Sequence, residues 1–497
     1  MTKIENGINT PKEVQEYFES IKGNHAALRQ FFTAMPKGGD VHNHLTGSAY
    51  AETYFELAAS KGMFVNLETG KLYKEKPEDV ETIQLSKDMD DLHNHRMALI
   101  DKWSIRNFQP YKYPLGPDEY FFGTFGLLSA LTSIPDYDNV DSLNNLAYLM
   151  HELKGRAVRE NVQYLEVIGI APIIPKNCFL DEEYEKYDND LKGYIKKDDY
   201  TNTFLTLRNI FNKFEDSKEA DENANRYLSF VQDLENKSNT FKNYLDVHTN
   251  DVMCCYQGYA VRGLEPIMVF AQLYVVYKAC VKDNGKLLVG CNIVAAEDSE
   301  KSMMYYSWHM EMFGMLYEHY SSVKTSLHAG ELTMGLVRPE HLTYHISQAV
   351  LKGSACRIGH GVDMPFEEDS GFLHIMQINN TPVEINLTSN EFILGVKDSE
   401  HPITLYHKAG IPIIISTDDP GILRTSLTEQ YTLAALRYGF SYNEIKQFVY
   451  NSIKYAFLTE TDKDALNTKL DNLFIEFEDN YLITYQPSEE NFGGRTD

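Results

Sequence analysis

The stretch IPIIISTDDPG, residues 411–421, decides the fold. Its apolar half shows no polar alternation, which reads as a short strand buried on both faces. It ends abruptly in Ser-Thr-Asp-Asp, so Asp418 and Asp419 stand side by side at the strand exit. Two adjacent carboxylates there are costly unless they meet a cation or a hydrogen-bond donor. Capping a following helix would explain one of them, but hardly both.

Seven more short apolar runs precede it, several with the same kind of polar exit. They are GGDVHNH (38–44), VQYLEVIG (162–169), DVMCCYQGY (251–259), KLLVGCNIV (286–294), VKTSLHAGE (323–331), CRIGHGVD (356–363) and PVEINLTSN (382–390). Helix-like stretches lie between most of them, such as 142–161, 266–285, 302–320 and 338–353. Strands alternating with helices predict βαβ units and a parallel sheet. Eight of them predict a closed (β/α)8 barrel of α/β class, whose site lies at the C-terminal strand ends.

Around that barrel, from about 35 to 460, the sequence predicts an N-terminal helical extension over 1–34, with one helix across 11–34 weakened at Gly23. Insertions of about 61–119 and 176–245 follow strands 1 and 2, and residues 461–497 read as a polar, peripheral tail. The helix of the first βα unit is expected at FFGTFGLLSAL.

Lys plus Arg number 46 against 72 Asp plus Glu, a formal charge of −26. That excludes nucleic acid as a partner, since phosphate binding rests on clustered cations. It also disfavours anionic membranes. The six cysteines form no CxxC pair, no signal core opens the chain, and no apolar run reaches the length of a membrane span. These features predict a cytoplasmic protein with reduced thiols.

The polar exits supply the chemistry. A strand ending in His42-Asn43-His44 points both imidazoles to one face, because the side-chain period is two. His328 and Glu331 follow another strand, and His360 sits between two glycines at the end of the next. A second His-Asn-His, at His93 and His95, falls in a segment of helical period. Residues i and i+2 of a helix face apart, so that pair cannot clamp one ion.

The order HNHLTG, SLHAGE, IGHG, STDDPG resembles the adenosine deaminase family of metal-dependent hydrolases. It is most similar to the branch of adenosine deaminase-related growth factors, over about residues 35–440. The resemblance implies one Zn²⁺ per chain, held by His42, His44, His328 and Asp418. It implies Glu331 as proton donor to a purine ring nitrogen, and His360 with Asp418 orienting the attacking oxygen. It further implies contacts to a purine nucleoside from Asp419, His44, Thr46 and Ala295, with adenosine or 2′-deoxyadenosine converted to inosine and ammonia. A homodimer through residues 11–34 is the assembly implied. Two positions depart from the family pattern. Thr46 replaces an aspartate that contacts ribose, and Ala295 replaces a glycine beside the purine. Other 6-aminopurines, and a non-catalytic growth-factor-like protein on the same barrel, are the alternative readings. A cytidine-deaminase-type zinc site is excluded by the missing CxxC.

Overall fold

In the computed structural model, residues 10–241, 248–369 and 371–485 are described. Eight parallel strands run in sequence order around a barrel: β1 (Gly39–His44), β2 (Tyr164–Ile168), β3 (Met253–Val261), β4 (Leu288–Val294), β5 (Lys324–Ala329), β6 (Arg357–His360), β7 (Val383–Ile385) and β8 (Ile413–Ile415). All eight coincide with the apolar runs read from the sequence. The ring closes beyond β8, where Asp418 N–H donates to His42 O (2.9 Å) and His44 N–H to Asp418 O (2.8 Å). Asp418 is therefore part of the ladder that joins β8 to β1. The residue with the costliest side chain is fixed at both of its backbone groups.

The N-terminal extension is two helices rather than one, α1 (Lys12–Ile21) and α2 (His25–Ala34). Asn24 starts the second by accepting from Ala27 N–H (3.1 Å), and Gly23 before it offers no side chain to continue the first. Both helices pack on their own chain. Phe18 meets Tyr442 (centroids 5.7 Å apart), and Phe31 meets Phe477 (5.2 Å).

The first insertion holds a small antiparallel sheet (64–65, 72–73, 83–84) and the helix α3 (Leu92–Lys102). His93 and His95 ride on α3, so neither belongs to a strand end. The helix expected to complete the first βα unit, α4 (Pro117–Thr132), lies elsewhere. Its Phe121 clusters with Ile393 of the short helix after β7 and with Ile422 and Leu423 of the loop after β8, so α4 covers the barrel mouth. Its apolar residues carry little one-sided periodicity, because it faces both the rim and the cavity. The second insertion is helical, with spans 184–195, 200–216 and 218–238. Within the stretch read as a polar tail, α5 (Glu460–Tyr485) buries Leu466, Leu470, Phe474 and Phe477. Residues 486–497 lie outside the described chain.

Among the described residues, no helix is long and apolar enough to cross a membrane.

Candidate metal centre and active site

β1, β5 and the turn after β8 bring His42, His44, His328 and Asp418 together at the mouth. One potential ligand atom from each lies within 4.8 Å of all the others. His44 Nε2 is 3.1 Å from His328 Nε2 and 3.4 Å from Asp418 Oδ1, and His42 Nε2 is 3.6 Å from the same oxygen. Donors about 2.0–2.1 Å from one tetrahedral ion stand about 3.3 Å apart. The observed spacing suits such an ion.

Tautomers give the same answer. His42 Nδ1 donates to Glu384 Oε2 (2.6 Å), and His328 Nδ1 donates to Asn292 Oδ1 (2.8 Å). A neutral ring that donates through Nδ1 keeps a lone pair on Nε2, which is what a metal needs. His42 Nε2 is fully buried and has no hydrogen-bond partner, an expensive state that a bound cation removes. The residues present therefore fit a zinc-like ion.

The sequence reading missed the groups beneath these ligands. Glu384 also accepts from Ser326 Oγ (2.8 Å) and from Arg357 Nε. Arg357 donates its other arm to Glu166, which accepts from Gln257 Nε2 (2.8 Å), and Gln257 accepts from Asn292 Nδ2 (3.1 Å). A belt of buried polar side chains thus crosses the barrel interior and links the two histidines. Its signal was present in the sequence, since Glu166, Arg357 and Glu384 are lone charges inside apolar runs. Buried charges must be paired, so the three predict one another.

A cavity of about 360 Å³ opens above the ligands. Thr46, Ala295, Glu331, His360, Asp418 and Asp419 line it, together with Phe121, Phe122 and Phe125 of α4. All nine residues singled out from the sequence stand in this one region, whereas the three phenylalanines were not foreseen. No lysine or arginine is among the residues that line it.

Glu331 is buried, and its carboxyl is pushed well above the ordinary range by burial, then by the charges of Asp418 and Glu297. Its own N–H donates to Glu297 Oε2 (2.8 Å), which anchors the loop after β5. Asp419 is likewise pushed up, by burial first and then by Asp418. Its Oδ1 has no partner, and a Cβ at Gly47 would lie 1.5 Å from it. The glycine of HNHLTG therefore makes room for a carboxyl aimed at the cavity. Gly359 plays a similar part, because a Cβ there would come within 2.7 Å of His42 Cε1. Burial alone would raise Asp418 too, but the histidines set around it, His42 and His44 foremost, outweigh it and hold it well below the ordinary carboxylate range. Three carboxyl groups in one pocket thus divide into one anion and two acids.

Ala295 has φ of +86°, His360 +67° and Asp418 +65°, all in the left-handed region. Non-glycine residues are costly there and concentrate at functional sites.

Comparison with known proteins agrees with this geometry. Residues 268–473 match the family model described as adenosine deaminase. That span includes His328, Glu331, His360, Asp418 and Asp419 but not β1. The adenosine deaminase of Enterococcus faecalis is 32% identical over 155 residues, which cover 31% of this chain and 43% of the relative. The chain thus spans less than half the length of the curated relatives it matches in sequence. Among solved structures, the Arabidopsis N6-mAMP deaminase superposes with a TM-score of 0.54 at 17% identity, covering 89% of this chain and 99% of that one. A zinc-bound amidohydrolase from Burkholderia ambifaria gives 0.55 at 16% identity, covering 92% and 94%. These likenesses establish the fold, a (β/α)8 barrel. Over 268–473 the chain is similar to the adenosine deaminase family, and the growth-factor branch finds no specific support.

Proposed function

We propose that the chain is a zinc-dependent hydrolytic deaminase of the adenosine deaminase family, acting on a neutral 6-aminopurine nucleoside. The observation that carries this reading is the division of labour around one cavity. Four ligands converge on one side, and a buried carboxyl, Glu331, pushed up by burial towards its protonated form, faces them.

His42, His44, His328 and Asp418 would hold the metal, which when bound supplies a water acidic enough to attack near neutral pH. The rest falls to side chains. Glu331 delivers its proton to purine N1, making C6 electrophilic. His360 and Asp418 orient the attacking oxygen. Asp419, held protonated, donates to N7, which only accepts. Phe121, Phe122 and Phe125 cover the base and exclude water. Ammonia leaves, and the 6-oxopurine remains.

The cavity lining favours a nucleoside over a nucleotide, because it offers no cation for a phosphate. Thr46 would bond the ribose through its hydroxyl, and the Ala295 N–H would meet the base. A non-catalytic reading is disfavoured, because such a protein has no need of a carboxyl kept protonated beside an intact ligand set.

The test is a panel of adenosine, 2′-deoxyadenosine, adenine, AMP and N6-methyladenosine, followed by the ultraviolet change from 6-amino- to 6-oxopurine. The zinc-loaded protein should turn over adenosine or its deoxy form fastest, and a chelator should abolish the change. No turnover of any member by a chain shown to carry zinc would sink the proposal.

A further inference from the structure

His360 differs from His42 and His328 in the direction of its hydrogen bonds, and the difference traces to a backbone amide outside the cavity. Ile403 N–H donates to His401 Nδ1 (3.1 Å). A backbone amide can only donate, so that ring nitrogen must carry a lone pair. His401 is buried, and burial, with His360 and Arg437 nearby, pushes it down to about 3. The ring is neutral, so its proton sits on Nε2. That nitrogen is 3.0 Å from Asn390 Oδ1, which therefore accepts. The amide orientation is then settled. Reversing it would face Nδ2 with a ring that also accepts at Nδ1, leaving the imidazole no proton at all.

Asn390 Nδ2 lies 3.0 Å from His360 Nδ1 and can only donate to it. Glu331 Oε1 is 3.5 Å from the same nitrogen, too far to compete, and a protonated Glu331 would also present a donor. His360 is thus left with its proton on Nε2, an atom that is buried and has no partner among the described residues. At His42 and His328, Nδ1 donates and Nε2 keeps its lone pair. At His360, Nδ1 accepts and Nε2 carries hydrogen. One pattern makes ligands, and the other bars a ligand and makes a donor.

We propose that His401 and Asn390 are positioning residues that transmit the polarity of the Ile403 amide to His360, locking it as the Nε2–H tautomer so that it donates to the attacking oxygen. This rests on the deaminase reading for its consequence, though not for the tautomer itself. A buried histidine beside three ligand histidines would otherwise compete for the ion through its free nitrogen. The relay prevents this by keeping the proton on the nitrogen that has no partner among the described residues.

The test uses full-length protein with ¹⁵N-labelled histidine, with His360 assigned by the resonances lost in His360→Gln. In the unsubstituted chain, His360 should show a protonated Nε2 and a bare Nδ1. Asn390→Asp replaces the donor by an acceptor and should move the proton to Nδ1. His401→Phe should lower kcat about tenfold to a hundredfold with KM and zinc content little changed, less than the roughly 10²–10³-fold cost of deleting an oriented donor outright, because the His360 ring remains. His401→Gln, whose amide can still donate to Asn390, should recover most of that loss. A proton on Nδ1 in the unsubstituted chain, or one that stays on Nε2 in Asn390→Asp, would overturn the assignment. Unaltered kcat in both His401→Phe and Asn390→Asp would overturn its functional part. The tautomer is read without turnover. A chain that carries Nε2–H yet deaminates no purine would remove the reaction and leave the relay standing.

Discussion

At the scale of single residues, the proposal stands most heavily on Glu331. Its carboxyl is pushed well above the ordinary range by burial and by two neighbouring anions, which favours the protonated form that donates. Glu331→Gln keeps shape and metal but removes that proton. Turnover should fall by about 10²–10⁴-fold, with zinc content and melting temperature retained. The pH profile follows the same logic. Only the protonated acid donates, so activity should be lost as pH rises through the raised pKa of Glu331, and that limb should vanish from the residual rate of the variant. Ala295 makes a second, independent case. An alanine at φ +86° is strained by about 1–2 kcal/mol. Glycine would relieve this, while its looser unfolded chain costs about 0.5–1 kcal/mol. Ala295→Gly should therefore leave thermal stability equal or slightly higher, and its KM for adenosine should fall as the methyl leaves the base. A clear drop in melting temperature would show that the methyl packs rather than strains.

At the scale of elements, the eight strands were legible because each is short, apolar and punctuated by a polar exit, and that pattern needs no knowledge of the helices between. The second His-Asn-His was legible for the same reason, since period separates β1 from α3. Two features were not, and a third was legible only in part. Gly23 is one residue in an otherwise good helical period, and nothing local says whether it bends a helix or ends it. The place of α4 over the mouth depends on the segments after β7 and β8, which lie far away in sequence. The polar belt under the ligands arises from β2, β6 and β7 together, and each run shows only one of its charges. That belt also yields a prediction. Arg357 is buried between Glu166 and Glu384, so Arg357→Met leaves two buried carboxylates facing one another. Breaking such a group by removing one partner costs about 3–5 kcal/mol. The variant should melt lower and bind zinc more weakly, because Glu384 would no longer hold His42 in place. Glu297, after β4, is one of the buried carboxylates that shape the acid limit, with Glu384 another. Burial alone would raise it, but Arg262 and His345 outweigh this and hold it at about 2, against an ordinary 4.5. A carboxylate lowered in the fold stabilises above its ordinary value and loses that contribution as pH falls through the folded one. Circular dichroism should therefore show stability declining between pH 4.5 and about 2, with a shallower decline in Glu297→Gln.

At the scale of the whole molecule, the first and last helices of the described residues pack together. The apolar residues of α1 and α2, Val14, Phe18, Ile21, Leu28, Phe31 and Phe32, are buried against the chain's own C-terminal helices, α5 among them. Burying one large apolar side chain is worth about 1.5–3 kcal/mol, so six approach the 5–15 kcal/mol that separates folded from unfolded states. The extension therefore serves the barrel before it can serve a partner. If these helices were chiefly a dimer handle, a chain lacking residues 1–34 would be a folded monomer with the melting temperature of the full protein. The packing predicts otherwise. Removal should expose Tyr442, Phe477 and Tyr481, and the shortened chain should aggregate or melt well below the full one. Phe31→Ala, a milder cut at the centre of the cluster, should cost about 3–5 kcal/mol while leaving the metal site intact. Light scattering and thermal melts of the three proteins decide between the two roles. An unchanged melt in both variants would assign the extension to assembly rather than to the fold.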